Sequence, residues 1–390
     1  MIQAVNRNVK LLSAGFLLIF FGFDGIQQYV TVFFDEAGVK RVGFISLIVL
    51  YSIFTIVNPI GAVVISKIGA KRSMIGAVLF YTLYCFSLLT TSPALIYLAS
   101  VLLGAFGAVL WTAQNSYLIR ASDAAAYGRN AGFFSTLFAT GAASGVLLMG
   151  LLLPALGYRG GFALFAFVPL VALLFLFRLE DIRMEEKGNK WREMRRAMAS
   201  STALRMSAIW FVFNFIQGLM LGIVPLEIKK TIGVWAIGIL VGSFYIMPML
   251  FAYLFGKLSD LRGRRGMITL IYGLSIVGVG FMLGAQYPAV LVGAIILLAF
   301  NFGIARTITF ALVGDISTKQ NVEYISALTW MVQSFAFVVA MVIPLFFEGK
   351  MVYLVSLAVI AFSYLIFSPL RKVTLAVVRE RIAKEMGEGI

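Results

Sequence analysis

Two ionisable side chains stand inside otherwise apolar runs: Asp24, within residues 11–34, and Arg306, within residues 288–312. A charge held in hydrocarbon is costly, so such residues are first candidates for function. A carboxyl taken out of water can carry a proton or contact a substrate. A guanidinium can bind an anionic group or a helix-capping carbonyl. The structural alternatives are a hydrogen-bonded acid at Asp24 and, at Arg306, a side chain that snorkels to water. Asp24 lies just past the middle of its run toward one side, and Arg306 past the middle of its own toward the other. At ~1.5 Å of rise per residue their depths differ by roughly 13 Å. Separate roles are therefore expected, rather than a direct ion pair.

Polar groups accompany these charges. Gln27 and Gln28 are one helical turn from Asp24, and Trp111, Gln114 and Asn115 share a helix face. Asn214 and Gln217 share another face, Asn301 is near the centre of the run that holds Arg306, and Trp330, Gln333 and Ser334 group together. Amides and aromatic faces in an apolar lining suit an amphipathic organic ligand. The same amides would also serve as interhelical hydrogen-bonding glue. Glu227, beside Lys229, reads as an interface residue. The sequence has no His and a single Cys, Cys85, so a thiolate metal site or internal disulfide cannot form. No Gly-Lys-Ser/Thr phosphate loop and no hydrolytic constellation occurs, so neither an enzyme nor a cofactor is expected.

The elements that must position these residues are membrane spans. Of the 390 residues, 61% are hydrophobic and only 13% charged. A soluble chain has about half apolar and a quarter charged residues, so lipid is the natural solvent here. Crossing a ~30 Å hydrocarbon core takes about 20 apolar residues as a helix. Runs of that length are expected as twelve helices over 9–34, 42–65, 73–91, 95–119, 130–153, 160–178, 205–228, 234–256, 267–284, 288–312, 324–346 and 350–368. The first ten residues are too polar, and the following run too long, for a cleaved signal peptide. Lys and Arg set the orientation. With the N-terminus cytoplasmic, 25 of the 32 Lys and Arg fall in inside segments and 6 in outside loops. Both termini are then cytoplasmic, as in an inner-membrane protein. The net charge of +15 reads as an insertion signal and contact with anionic lipid, not nucleic-acid binding, because it is spread over many short loops.

The bundles are expected at 1–178 and 205–370, joined by a polar linker over 179–204 and followed by a cytoplasmic tail, 371–390. Trp191, Met194 and Met198, with Arg192, Arg195 and Arg196 between them, suggest a linker helix on the membrane surface. The tail reads as a second cytoplasmic helix. The halves echo each other. Phe23-Asp24-Gly25-Ile26-Gln27 matches Phe213-Asn214-Phe215-Ile216-Gln217 at an offset of 190, and Gly69 matches Gly263 at 194.

Gly256-Lys257-Leu258-Ser259-Asp260-Leu261-Arg262-Gly263-Arg264-Arg265 resembles the loop signature of the major facilitator superfamily, Gly-x-x-x-Asp-(basic)-x-Gly-(basic)-(basic). The first copy keeps Lys67, Gly69, Lys71 and Arg72, but Ala62 replaces Gly and Ser66 replaces Asp. The resemblance implies two six-helix bundles related by a pseudo-two-fold axis. It also implies a central cavity lined by helices 1, 4, 7 and 10, and a gating role for these loops. Gly132, Gly141, Gly145 and Gly150 resemble the glycine motif of the antiporter branch, with Val146 and Met149 departing from it and Ser100 in place of its helix-4 Arg. Asn6, Gln27, Tyr51, Tyr81, Trp111-Thr112-Ala113-Gln114 and Tyr117 resemble the "uncoordinated"-type ion-channel regulator branch. The expected function is secondary active transport of a small organic solute by alternating access, as a monomer, with proton-coupled export as the specific form. The other reading is a non-transporting protein of the same fold that regulates a partner membrane protein.

Overall fold

A computed structural model describes residues 5–90, 92–122, 127–182, 190–318 and 321–387, without the side chains of 62, 63, 66, 127–129, 190, 248, 249, 252, 253, 256, 257, 260–262, 310 and 323. The described residues are helical, with no strand. In chain order the helices are α1 (Arg7–Gln27), α2 (Val30–Glu36), α3 (Lys40–Ile68), α4 (Ala70–Ser87), α5 (Pro93–Arg120), α6 (Tyr127–Val171) and α7 (Leu173–Leu176). Then follow α8 (Lys190–Ala199), α9 (Ser201–Leu221), α10 (Val224–Thr231), α11 (Trp235–Arg262), α12 (Arg264–Phe281), α13 (Pro288–Ile316), α14 (Val322–Phe346), α15 (Lys350–Phe367) and α16 (Leu375–Glu385).

Among the described residues, ten helices are long and apolar enough to cross a membrane, and Trp235–Met247 is a shorter apolar helix. One of the ten, Asn130–Leu176, has 47 residues. At ~1.5 Å per residue that is about 70 Å, over twice a hydrocarbon core. It is not one straight rod: Gly157 has φ 63° and ψ 174°, outside the helical region. The sequence reading put a loop over the same residues.

The first span differs from its expectation as one unbroken helix. The chain leaves α1 at Gln28 and Tyr29, and the Tyr29 N–H donates to the Ile26 carbonyl three residues back. No proline marks this interruption. The span that opens the second half is interrupted too, between α9 and α10 at Gly222 and Ile223. Helix starts follow local chemistry. Asn6 accepts from the Asn8 N–H at the start of α1, and Pro93 and Pro288 occupy the first turns of α5 and α13, where a missing N–H costs nothing.

The chain forms two compact units: residues 1–186 with 228–246, and residues 187–227 with 247–390. In the first, α1 packs along α6, α3 against α5, and α4 against α5 and α6. Small residues set the α1–α6 spacing: a methyl group at Gly141 or Gly145 would collide with the backbone carbonyls of Leu17 and Phe21. Tyr29 donates to the Val146 carbonyl at 3.3 Å, with its hydroxyl against Gly150 and Gly238. Lys229 reaches Asp35 at 3.0 Å and Glu36 at 3.4 Å, and Tyr158 donates to Glu36 at 3.1 Å.

In the second unit α9 packs against α14 and α15, and α12 against α13 and α15. The linker helix exists as α8. Met194 and Ala197 are buried and α8 lies against α14, while Trp191 and Met198 stay exposed. The tail helix is α16. Its Glu385 accepts from the Ser200 hydroxyl at 2.6 Å, the Thr202 hydroxyl at 2.6 Å and the Thr202 N–H at 3.1 Å, capping the start of α9.

Candidate functional site

Asp24 sits in the last turn of α1 and is 7% exposed, with Gln27 and Gln28 beside it at 5% and 4%. Three further helices of the first unit bring groups to this carboxyl. The Gln27 amide donates to the Tyr51 hydroxyl of α3 at 3.1 Å. The Trp111 indole N–H of α5 donates to the Tyr81 hydroxyl of α4, which packs over Gly107 of α5. The Asp24 carboxyl acts electrostatically on both hydroxyls. In these bonds both tyrosine hydroxyls are the acceptors, and a phenol can donate as well as accept. Four helices thus assemble a polar cluster of one acid, one amide, two phenols and one indole.

Aromatic rings enclose it. Phe20 lies 5.7 Å from Tyr81, 5.1 Å from Trp111 and 4.8 Å from Phe138 by ring centroid. Phe23 lies 4.8 Å from Tyr81, and Phe138 lies 5.3 Å from Trp111. Most of these contacts are edge to face, the favoured arrangement for rings with negative faces and positive edges. Tyr51 and Trp111 are half-buried and retain accessible surface.

The sequence reading named Asp24, Gln27 and Trp111, and the structure brings them together. It quoted Tyr51 and Tyr81 only in a family resemblance and gave them no place in the site. The available signal was a phenol deep in an apolar run, where its hydroxyl must find a partner. Of the other candidates in the first unit, Gln114 is buried one turn after Trp111 and Asn115 is half-buried.

Two of the second-unit candidates bond within that unit. Asn214 donates to the Trp210 carbonyl of its own helix at 2.8 Å. Asn301 is 1% exposed and donates to Ser275 at 2.9 Å, joining α13 to α12. That is the interhelical alternative foreseen for such amides. Gln217, Arg306, Trp330 and Gln333 are half-buried.

The basic loops are tied down within their own units. Lys71 donates to the Leu179 carbonyl at 2.6 Å, and Arg72 lies 4.0 Å from Asp181. Nearby, Asn8 donates to the Glu180 carboxylate at 2.9 Å, and Tyr117 to the Glu180 carbonyl at 2.9 Å. Lys67 is exposed. In the second unit Arg264 pairs with Asp315 at 3.0 Å and donates to Ser259, while Arg265 is half-buried. Gly69 and Gly263 have nearly the same backbone, φ 90° with ψ 147° and φ 80° with ψ 146°, a region that glycine enters without strain. Gly256 lies within α11, and the side chains of Asp260 and Arg262 lie outside the described residues.

Comparison with known proteins agrees with this architecture. UNC93-like protein MFSD11 of Xenopus tropicalis is 32% identical over 133 residues, which are 33% of this chain and 30% of that protein. Protein unc-93 homolog A of Bos taurus is 33% identical over 113 residues, 29% of this chain and 24% of that protein. UNC93-like protein 3 of Arabidopsis thaliana is 30% identical over 132 residues, 33% of this chain and 27% of that protein. The aligned stretch thus spans about a third or less of the curated relatives it matches. The Major Facilitator Superfamily model matches residues 47–341, most of the chain. Helices of membrane-spanning length, the paired glycine-basic loops and this match agree: the chain is an integral membrane protein belonging to the Major Facilitator Superfamily, whose members are typically transporters.

Proposed function

We propose that this chain is a secondary active transporter that moves a small organic solute by alternating access and couples export to protons through Asp24. The observation that carries this reading is the cluster of Asp24, Gln27, Tyr51, Tyr81 and Trp111. A carboxyl within an apolar bundle, among hydroxyls with protons to donate, can exchange a proton or meet a solute.

The full architecture in this proposal is twelve spans in two six-helix halves, 1–178 and 205–370, joined by the 179–204 linker, with residues 371–390 as the tail. The repeat is supported by the matched backbone at Gly69 and Gly263 and by the interruption late in the first span of each half. Both termini are cytoplasmic, following the charge bias, and the membrane is the plasma or inner membrane. The loops carrying Gly256, Asp260, Arg262, Gly263, Arg264 and Arg265, and Lys67, Gly69, Lys71 and Arg72, act as gates. The docking of Lys71 on Leu179 and of Arg264 on Asp315 supports this reading, since each bond ties a loop to its own bundle. Arg306 and the second-unit polar residues complete the solute path, and the working unit is a monomer.

Proteoliposomes containing the full chain and a trapped pH dye test the coupling. Solute added outside moves protons in the wild type, and Asp24→Asn abolishes that movement. If pH-driven transport is unchanged in Asp24→Asn, the coupling role is wrong. The similarity to UNC93-like proteins favours a second reading, regulation of a partner membrane protein without solute movement. A partner that co-purifies, with no solute-dependent thermal shift, would support it.

A further inference from the structure

The linker helix α8 (Lys190–Ala199) has an apolar arc wider than its contact with the protein. At about 100° per residue, Ala197, Met194, Met198 and Trp191 follow one another over roughly 120° of its circumference. Ala197 and Met194 are buried, and α8 packs on α14 and α9. Met198 and Trp191 are 40% and 47% exposed, so half of the arc is uncovered. Arg195 comes next around the helix after Trp191 and is exposed.

Chain connectivity fixes the depth of this face. α8 ends at Ala199, and the membrane-length helix Ser201–Leu221 begins two residues later. Ser200 between them is extended, with φ −68° and ψ 110°, so α8 does not continue the axis of α9. The end of α8 therefore lies at the boundary between hydrocarbon and water, and the helix leaves it in another direction. Leu204 and Arg205, at the start of α9, are both exposed and repeat the pairing of an apolar side chain with a guanidinium.

Charge selects the occupant. Glu193 is engaged by Arg196 at 2.9 Å, and Glu385 by the hydroxyls of Ser200 and Thr202 at 2.6 Å each. Arg195 and Arg205 have no ion pair among the described residues. At a membrane boundary an exposed Trp and Met suit the region between acyl chains and headgroups, and a guanidinium forks onto phosphate oxygens. A zwitterionic headgroup carries its own ammonium and attracts a basic helix less than an anionic one.

We propose that the uncovered face of α8 docks on anionic phospholipid of the linker-side leaflet, with Trp191 and Met198 at the acyl boundary and Arg195 and Arg205 on headgroup phosphate. The inference rests on α9 being a membrane span, and not on whether the chain moves a solute.

A nitroxide label on Met198→Cys tests it with the full chain in proteoliposomes. The native Cys85 is buried and out of the reagent's reach. Collision rates with oxygen and with a water-soluble nickel chelate report the label's depth. As phosphatidylglycerol replaces phosphatidylcholine, the label should sink to about 5–10 Å within the headgroup and acyl boundary. Arg195→Gln should raise the phosphatidylglycerol fraction needed for half of that change roughly fivefold, and adding Arg205→Gln should raise it further. Arg195→Lys should behave nearly as the wild type, and Trp191→Ala should leave the label shallower. The proposal is overturned if the label is equally deep in pure phosphatidylcholine, or if Arg195→Gln leaves the lipid dependence unchanged. It is overturned as well if the label stays in water in every lipid, or if dipolar broadening between labels shows that a second copy covers the face.

Discussion

Replacing Gly145 by Ala tests how α1 is held, and so how Asp24 is placed. The Cβ of an alanine there would fall inside the van der Waals surface of the Phe21 carbonyl, and one at Gly141 inside that of Leu17. Both obstacles are backbone atoms, so no side chain can rotate away and the helices must separate locally. Overpacking of this kind costs about 1–3 kcal/mol. The better helix propensity of alanine returns at most ~1 kcal/mol. Gly132, on the same helix, has no atom within 4 Å of where a Cβ would stand. Gly132→Ala should therefore gain the propensity term alone, at most ~1 kcal/mol. The two variants make the same chemical change on one helix, so the propensity gain cancels and Gly145→Ala should be the less stable by the overpacking cost, about 1–3 kcal/mol. For a unit of some 200 residues that is a melting difference of roughly 2–12 °C. Thermal unfolding of the detergent-purified chain measures it. Phe21 lies one turn before Asp24, so Gly145→Ala should also weaken ligand binding at the cluster. A Gly145→Ala protein that melts at or above Gly132→Ala would refute the view that backbone contact sets the α1–α6 spacing.

Three further outcomes are expected. Ser275→Ala removes the acceptor of the buried Asn301 amide and should cost about 1–3 kcal/mol in thermal unfolding; a cost near zero would mean the amide finds another partner. Lys229→Met should lower stability by no more than ~1 kcal/mol, because Lys229 and both carboxylates are partly exposed, and should flatten the salt dependence of the wild-type melting temperature. Glu385 is pushed up by partial burial, but hydrogen bonds from Ser200, Thr202 and Ser201 outweigh that and hold its carboxyl below the ordinary value. Its contribution is therefore complete above the ordinary carboxylate range and disappears as pH falls through the lower folded value. Hydrogen exchange should show α16 loosening in acid in the wild type, and already loose at neutral pH in Glu385→Gln.

Much of the scaffold was legible because bilayer thickness converts apolar run length directly into helices. The linker and tail helices and the glycine-basic loops were equally local. The break at Gly157 fell where the runs demanded a loop. The interruption at Gln28 and Tyr29 was not legible, since no proline or charge marks it and the local backbone bonding at Ile26 sets it.

The sequence by itself determined that this chain lives in lipid, how its charge is distributed, and that Asp24 is an acid stranded in an apolar helix. These follow from solvation, which acts residue by residue. Only the tertiary structure decided what Asp24 meets. Tyr51, Tyr81 and Trp111 lie dozens of residues away on three other helices, and hydropathy does not reveal which helix faces oppose one another in a bundle apolar on every side. Tertiary packing likewise decided that Asn301 is a tie between α12 and α13. An amide in a membrane helix must find a hydrogen-bonding partner, and the fold alone determines whether that partner is a neighbouring helix or a solute.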